Sequence, residues 1–387
     1  MRCALLLASL LLGAGALEAQ QLPNDVPRAT GPDTTRARAP GARRGPGSDG
    51  YIFLRPGIHY GSASVRTPAD AFANRAFSIL VFDGQERELG RLPWSNGWAA
   101  VRDALLHPGR AIERAGGWRQ VAREELLPNS GHVWTWAWAP NYGGHIVAGG
   151  IAYRFMGEWF EAHGMPAPRL VAALAFMGAA VTNEAMEMPG GPPGVSGTLA
   201  DLLVFDPAGM ALFSFDAPAR FLARTLLAAD WSPMPTLGLP GARLMNFSQV
   251  MSYKLPLPLT DRARVLLLIG QSANSGLSFA LGDGYSVAGA AGFETQRRYV
   301  DPVTGRESVV AAWSGGAYLD RDNSLLVSVL LSQRVYTGLQ VNVYPGVLPG
   351  PLRPAGVWVI RSRQGEWSTG VAFRRTLGLG LGLDFAR

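Results

Sequence analysis

The chain is poor in cysteine, in lysine and in charge. Its one cysteine among 387 residues is Cys3, so an internal disulfide framework is excluded. Lys254 is its one lysine, and only 17% of its residues are charged. Genome composition explains the preference for arginine, and contact with anionic lipid or sugar phosphates is the functional alternative. The net charge of +6 does not indicate a nucleic-acid partner, because the N-terminus predicts export.

The chain also lacks a long apolar run and the motifs of common enzyme classes. Its purest apolar helical stretch, residues 170–181, is shorter than the about twenty residues that a membrane-spanning helix needs. It has no phosphate-binding P-loop, no Gly-x-Ser-x-Gly nucleophile motif and no His-Glu-x-x-His zinc motif. The helices are therefore expected to form a compact bundle that does not cross a membrane.

The N-terminal residues predict secretion. A basic residue precedes the apolar run 4–12 and the small residues 14–16, an order typical of a signal peptide within residues 1–19. Residues 20–49 are rich in Pro, Gly and Arg and have almost no large apolar side chains, so they are predicted to be disordered. Residues 50–84 carry scattered aromatic residues, Gly and Pro, and predict an extended lead-in.

Two different periodicities predict an α+β fold. Apolar residues recur at helical spacing over residues 85–230, which predicts a helical bundle. Over residues 243–387 the period is two, and turn residues separate eight or nine antiparallel strand candidates. Alternate residues of the last candidate are all apolar, as lipid-facing residues of an outer-membrane β-barrel are. The sequence therefore predicts a barrel or a strongly curved sheet, with a soluble sheet packed on the helices as the alternative.

One histidine and three carboxylates lie near the ends of the apolar middle helices. Glu184 and Glu187 share a helix face because they are three residues apart. His145 opens the helix before them and Asp201 the helix after them, so antiparallel packing is expected to bring the four side chains together. An unpaired charge among such helices costs several kcal/mol. A buried polar cluster is therefore expected.

Two chemical roles for this cluster are open. One imidazole and up to three carboxylates suit a divalent metal such as Zn, Mn or Fe. The same groups suit acid–base chemistry, with Glu184 or Glu187 as the base and His145 as its partner. The residues that would then hold a polar headgroup or a phosphate are Asn183, Tyr153 and Arg154.

A structural role is the third interpretation of the same residues. Thr198 is followed three residues later by Asp201, which is typical of a capping box at a helix start. Buried carboxylates generally need a cationic partner, and the arginines available to the glutamates are Arg154, Arg220 and Arg224. A polar network that fixes the register of the bundle explains every one of these residues without catalysis.

Residues 141–215 carry an ordered pattern of polar and small residues. The pattern is Asn141, His145, Gly149, Tyr153-Arg154, Asn183-Glu184-x-x-Glu187, Thr198-x-x-Asp201-Leu202 and Gly209. It resembles a family of bacterial envelope proteins defined by a domain of unknown function and, more remotely, the VanZ-like families. The chain departs from the VanZ-like pattern at Glu187, which replaces Gln, at Phe205, which replaces Asn or Asp, and at Asp206, which stands one position late. The resemblance implies an envelope location and a shared helical core, and no established activity.

These observations predict an exported cell-envelope protein of structural or binding type. Its expected partner is outer-membrane lipid or lipopolysaccharide, and its expected location is the outer membrane or the periplasmic face of that membrane. The alternative is a membrane-surface enzyme that acts on lipid or lipopolysaccharide through His145, Glu184, Glu187 and Asp201. No cofactor is assigned, and a divalent metal is the minority option.

Overall fold

The protein has an α+β fold in which helices precede a large sheet. The computed structural model describes residues 50–387, except 84, 86, 93, 128–138, 188–194, 240, 259, 301–306, 375–378 and 386–387. The signal peptide predicted for residues 1–19 and the disordered tail predicted for 20–49 lie outside the described residues. The order of helices and sheet agrees with the two periodicities of the sequence.

The segment that was expected to be an extended lead-in is largely helical. It contains helix α1 (Ser62–Val65), helix α2 (Pro68–Ala76) and a 3-10 turn (Ser78–Val81). The Oγ1 atom of Thr67 accepts a hydrogen bond from the backbone N–H of Asp70 at 3.2 Å, and a proline occupies the first turn of α2. The prediction of an extended segment over 50–84 is therefore wrong from Ser62 onward.

The later helices lie where the periodicity predicts them. They are α3 (Trp94–Leu106), α4 (Pro108–Arg114), α5 (Trp118–Val121), α6 (Gly150–Ala162), α7 (Pro168–Glu187), α8 (Val195–Ala200), α9 (Asp206–Phe213) and α10 (Asp216–Arg224). Three segments have π-helical hydrogen bonding, namely Ala122–Leu126, Ala139–Gly149 and Asp201–Phe205. Short 3-10 turns occupy Leu89–Arg91 and Gly350–Leu352.

Within the described residues, no single helix combines the length and the apolar content of a membrane span. The pair Gly197–Phe213 and Asp216–Arg224, bent by 82°, reaches that length and composition only when its two helices are counted together.

The second half of the chain forms one sheet of thirteen strands. They are β1 (Ala229–Asp230), β2 (Thr236–Leu239), β3 (Arg243–Met245), β4 (Val250–Leu257), β5 (Thr260–Gly270), β6 (Ser272–Gly282), β7 (Tyr285–Val300), β8 (Glu307–Arg321), β9 (Ser324–Ser332), β10 (Leu339–Val343), β11 (Ala355–Arg361), β12 (Trp367–Phe373) and β13 (Gly380–Phe385). Their order in the sheet is β1-β4-β5-β6-β7-β8-β9-β10-β11-β12-β13-β2-β3.

This topology corrects three parts of the sequence prediction. The sheet has thirteen strands where eight or nine were expected. It is not wholly antiparallel, since β13 and β2 run parallel. Its ladder begins at β1 and ends at β3, and no pairing of described residues joins these two ends, so the sheet is not closed into a barrel.

The sheet is nevertheless strongly curved. Lys254 on β4 and Asp320 on β8 are separated by four ladder steps, which would place them roughly 19 Å apart in a flat sheet. Their Nζ and Oδ2 atoms lie 2.6 Å apart. Gln340 on β10 likewise donates to Asn246, in the connection between β3 and β4, at 2.7 Å. The concave face therefore encloses an interior.

The two faces of strand β4 carry different kinds of side chain. On β4, Ser252 and Lys254 are buried toward the interior, whereas Met251 and Tyr253 face outward into the hydrophobic core of the helical part. On the other end of the ladder, Leu244 of β3 packs in a second core that is shared with the helices. The helical part therefore covers the outer face of the sheet at both ends of its ladder.

Candidate functional site

His145 lies between two aspartates at the centre of the helical part. Its Nδ1 atom is 3.1 Å from Oδ1 of Asp206, and its Nε2 atom is 3.5 Å from Oδ2 of Asp201. The Asp206 side chain is fully buried, the Asp201 side chain nearly so, and the imidazole is 17% exposed. The predicted meeting of His145 with Asp201 is present in the structure, and Asp206 joins it as a second carboxylate.

Arg75, in the last turn of α2, is a further member of this cluster. Its guanidinium forms a buried ion pair with Asp206, and its Nη2 lies 3.2 Å from Nδ1 of His145. Both cationic groups therefore donate to the same carboxylate oxygen of Asp206. The Arg75 guanidinium also lies 4.5 Å from the ring centroid of Phe176 on α7. Sequence analysis missed Arg75 because the segment that carries it was expected to be extended.

Two glycines allow the helices of the site to approach each other closely. A Cβ atom at Gly209 on α9 would lie 2.9 Å from the backbone oxygens of His145 and Ile146. A Cβ atom at Gly150 would overlap the ring of Phe213. Since real Cβ atoms do not approach backbone oxygens so closely, any larger residue at Gly209 would push α9 away from the segment that carries His145. This contact holds Asp206 within reach of the imidazole.

Charge and burial shift the pKa values of these groups in different directions. Burial lowers the pKa of His145, but Asp201 and Asp206 outweigh that effect and raise the pKa to about 9. Burial raises the pKa of Asp201 well above its ordinary value; His145 opposes the shift and Glu184 reinforces it. Burial also acts to raise the pKa of Asp206, but Arg75 and His145 outweigh it and hold that pKa below its ordinary value.

These pKa values decide what the imidazole can do at neutral pH. A histidine with a pKa near 9 is an imidazolium at pH 7, and an imidazolium has no free lone pair with which to accept a proton. At that pH His145 is therefore a hydrogen-bond donor and a counter-ion for Asp206. The geometry favours the structural interpretation of the cluster over a general base.

The structure describes the side chain of Glu184 but not that of Glu187. Glu184 is buried on α7 and close enough to Asp201 to raise the pKa of that carboxyl. Glu187 ends α7, and its side chain lies outside the described residues, as does that of Asn141. Among the side chains that are described, no group of three or more His, Cys, Asp or Glu residues is arranged to hold a metal ion.

Two supporting residues lie close to the cluster in different roles. The Nδ2 atom of Asn183 donates to the backbone oxygen of Arg75 at 3.1 Å and to Oγ of Ser78 at 3.0 Å, so it fixes the end of α2. Thr198 is buried inside α8, which begins at Val195. Asp201 starts the π-helical segment that continues this helix. The predicted capping box is wrong, because neither residue stands at a helix start.

Tyr153 and Arg154 belong to a separate network. The hydroxyl of Tyr153 lies 3.4 Å from Oγ of Ser214. The guanidinium of Arg154 donates to Glu158 at 2.9 Å and to Asp216 at 2.7 Å. The Glu158 carboxylate also accepts three backbone N–H groups, at 2.8–3.0 Å, and so ties the first described segment to α6; the donors are Ile52, Phe53 and Leu54. The predicted role of these residues beside His145 is not supported.

The raised pKa of His145 makes stability depend on pH. Because the folded pKa of about 9 lies above the unfolded value of 6.5, the contribution of His145 is complete below pH 6.5 and is lost as pH rises through 9. The shift corresponds to about 3 kcal/mol. Urea unfolding between pH 6 and 9.5 measures this loss. The free energy of unfolding of the wild type is expected to fall toward that of H145Q as the pH rises. A difference between the two proteins that stays constant across that window would contradict the charged state assigned to His145.

The chain was also compared with known proteins. Comparisons with protein-family models, with curated protein sequences and with solved structures find no match. The resemblance of residues 141–215 to a family of bacterial envelope proteins therefore stays a prediction.

Proposed function

We propose that this protein is an exported cell-envelope protein of structural or binding type, whose sheet turns an apolar outer face toward outer-membrane lipid. The helical part is anchored on the same sheet and covers the two ends of its ladder. The observation that carries this proposal is the large exposed apolar area on the strands that the helices leave uncovered.

Strand β6 illustrates the distribution of side chains. Its outward residues Leu277, Phe279 and Leu281 are all exposed, and Leu281 is exposed by 63%. Its inward residues Asn274 and Ser278 are buried. A sheet that faces water on one side shows the opposite arrangement, with apolar residues inside and polar residues outside. An apolar exterior around a polar interior is the arrangement of a sheet surrounded by lipid.

The apolar residues of neighbouring strands form continuous rows across the outer face. One row runs across five strands through successive cross-strand partners and is apolar except at Thr369; its members are Val329, Val341, Val359, Thr369 and Leu383. Parallel to it, Phe293 pairs with Trp313, and Trp367 pairs with Phe385. Trp367 begins β12 and Phe385 ends β13, so this aromatic pair lies at the end of its strands, where membrane strands carry an aromatic girdle.

The interior holds buried polar side chains beside an apolar cluster that includes Leu266, Leu268 and Trp358. Asn342 donates to Ser328 at 3.0 Å, and Ser314 donates to Asn274 at 3.0 Å. These side chains are buried and pair on the curved face, while Oδ1 of Asn342 has no hydrogen-bond partner among the described residues. An exterior this apolar would be unfavourable for a sheet in water, because it would expose a contiguous apolar patch.

The helical part covers the two unpaired edges that an open sheet would otherwise expose to lipid. Unpaired strand edges are not tolerated in hydrocarbon. The ends of the ladder lie close along the chain, since β3 and β4 are joined by residues 246–249. Helical residues pack on Leu244 beside one end and on Met251 and Tyr253 beside the other. We infer that the helices seal the seam of a barrel-like sheet, and that the cluster around His145 keeps them in register.

An insertion experiment tests this proposal. Leu331 on β9 is exposed by 51% and lies on the uncovered outer face. Replacing it with Arg is expected to cost about 2–4 kcal/mol of insertion into phosphatidylcholine–phosphatidylglycerol vesicles, because a cation would then lie in hydrocarbon. Flotation with vesicles over a urea series measures the change.

Leu352 provides the matched control. It is exposed by 58%, but it lies in the turn between β10 and β11 and not on a strand. L352R is expected to insert as the wild type does, because a turn at the end of the strands meets headgroups or water. A wild-type protein that stays monodisperse without detergent and does not float, or equal losses in L331R and L352R, would rule out a lipid-facing sheet.

A further inference from the structure

A cavity of about 390 Å³ lies between the helical part and one end of the sheet. The end in question carries the hairpins that join β4 to β5, β6 to β7 and β8 to β9. Side chains from the first described segment and from α6 form an apolar wall, defined as Ile52, Phe53, Ile151 and Phe155. Ligand sites typically have volumes of about 300–1,000 Å³, so this cavity suits a single alkyl chain or another small molecule.

Four arginines line the same cavity, and three of them form what we call the arginine mouth, defined as Arg55, Arg262 and Arg264. Arg262 is exposed and Arg264 half-buried, both on β5. Arg55 donates from Nη1 to the backbone oxygen of Asp322 and from Nη2 to that of Asn323, the latter at 3.3 Å. Within the described part of the chain, none of the three guanidiniums lies in an ion pair with a carboxylate.

Most carboxylates that line the cavity are already held by other groups. Asp320 pairs with Lys254 at 2.6 Å. Asp230 lies 3.1 Å from the guanidinium of Arg66, and Asp322 accepts a hydrogen bond from Tyr60. In total, five cationic side chains and four carboxylates line the cavity, which leaves a surplus of one positive charge.

Two observations indicate that the cavity is built for a ligand. Burial lowers the pKa of Arg55, so an anion in the cavity would stabilise its charged form. Oδ1 of Asp320 and Oδ1 of Asn323 are buried and have no hydrogen-bond partner among the described residues. The cavity therefore offers cations for an acidic group and an apolar wall for an alkyl chain, with unsatisfied acceptors buried directly behind its lining.

We propose that this cavity binds one single-chain anionic amphiphile, with its phosphate or carboxylate in the arginine mouth and its alkyl chain against the apolar wall. The site is independent of whether the sheet lies in lipid. Its ligand would come from the envelope as a lipid fragment or a free acyl phosphate, since both carry the same head and tail.

Calorimetric titration of the purified, folded protein in a non-ionic amphipol tests the site. Dodecyl phosphate is expected to bind with a stoichiometry of one, whereas inorganic phosphate is expected to bind at least about tenfold more weakly because it lacks contact with the apolar wall. Dodecyl maltoside, which has the chain without the charge, is expected not to compete. Equal affinity for inorganic phosphate would show an anion site only and would overturn the proposal.

Substitution of the arginine mouth separates this site from nonspecific uptake. The double variant R262Q/R264Q is expected to bind dodecyl phosphate about tenfold more weakly, since it loses two charges near the head. Both side chains reach the surface, so the fold is expected to tolerate the change. The control R119Q/R353Q removes two exposed arginines elsewhere and is expected to bind as the wild type does. Equal affinity in both double variants, or the absence of saturable binding, would overturn the proposal.

Discussion

Replacing Asp206 with Asn is expected to lower the free energy of unfolding by about 3–5 kcal/mol at pH 7. The change leaves the cations of Arg75 and His145 buried without the carboxylate to which both donate. Asn keeps one oxygen acceptor but not the charge, so the desolvation cost of the two cations is no longer compensated. Urea unfolding of the detergent-solubilised protein, followed by tryptophan fluorescence, measures the change.

Asp216 is the matched control for this substitution. It also contacts two cations, Arg154 at 2.7 Å and Arg220 at 2.8 Å, but its side chain is 48% exposed. D216N is therefore expected to cost no more than about 1 kcal/mol. If D206N lowers the free energy of unfolding as little as D216N does, the cluster around His145 does not hold the helical part together. The structural role assigned to that cluster would then be wrong.

The position of Asp206 explains why the sequence predicted only part of this site. His145 and Asp201 were expected to meet because they lie near the ends of neighbouring helices. Asp206 stands one position late for the VanZ-like pattern and was not predicted to join them. The π-helical segment Asp201–Phe205 bonds each residue to the fifth along the chain, so a residue five positions after Asp201 returns to the same face. Sequence periodicity assumes 3.6 residues per turn and does not anticipate such a segment.

Arg75 was missed for a different reason, although a local signal was present. Thr67-Pro68-Ala69-Asp70 contains a capping threonine, a proline in the first turn and an aspartate three residues after the cap, which together indicate a helix start. The scattered Gly and Pro just before this stretch favoured an extended interpretation of the whole segment. A helix start at Thr67 would have predicted α2.

The number of strands was underestimated where small residues occupy the interior. Strand β6 has Leu277, Phe279 and Leu281 at a period of two, but Ser, Gly, Asn and Ala fill its other positions, so it is not among the strands that the sequence predicts. The sequence predicts one strand over residues 244–255, but the structure has two strands there, β3 and β4, because Asn246 adopts a φ of +51° between them. Periodicity identifies the two faces of a strand, but it does not tell which face is inside.

The second large effect is expected at the single lysine. K254M is expected to lower the free energy of unfolding by about 3–5 kcal/mol, since it leaves Asp320 buried on the interior face of the sheet without its cation. The substitution also removes the contact between Nζ of Lys254 and the ring of Trp231, whose centroid lies 5.3 Å from Nζ. Burial acts to raise the pKa of Asp320, so the loss is expected to shrink at lower pH, where the isolated carboxyl takes up a proton.

The double variant K254M/D320L determines whether the pair itself or the unpaired charge sets this cost. The double variant also removes the charge of Asp320, which K254M leaves buried and unpaired. It is therefore expected to recover most of the stability that K254M loses. The exposed pair of Arg243 and Asp384, at 3.0 Å, is the comparison, and D384N is expected to cost no more than about 1 kcal/mol. A K254M variant as stable as the wild type would mean that β4 and β8 do not meet across the interior, and the strong curvature assigned to the sheet would be wrong.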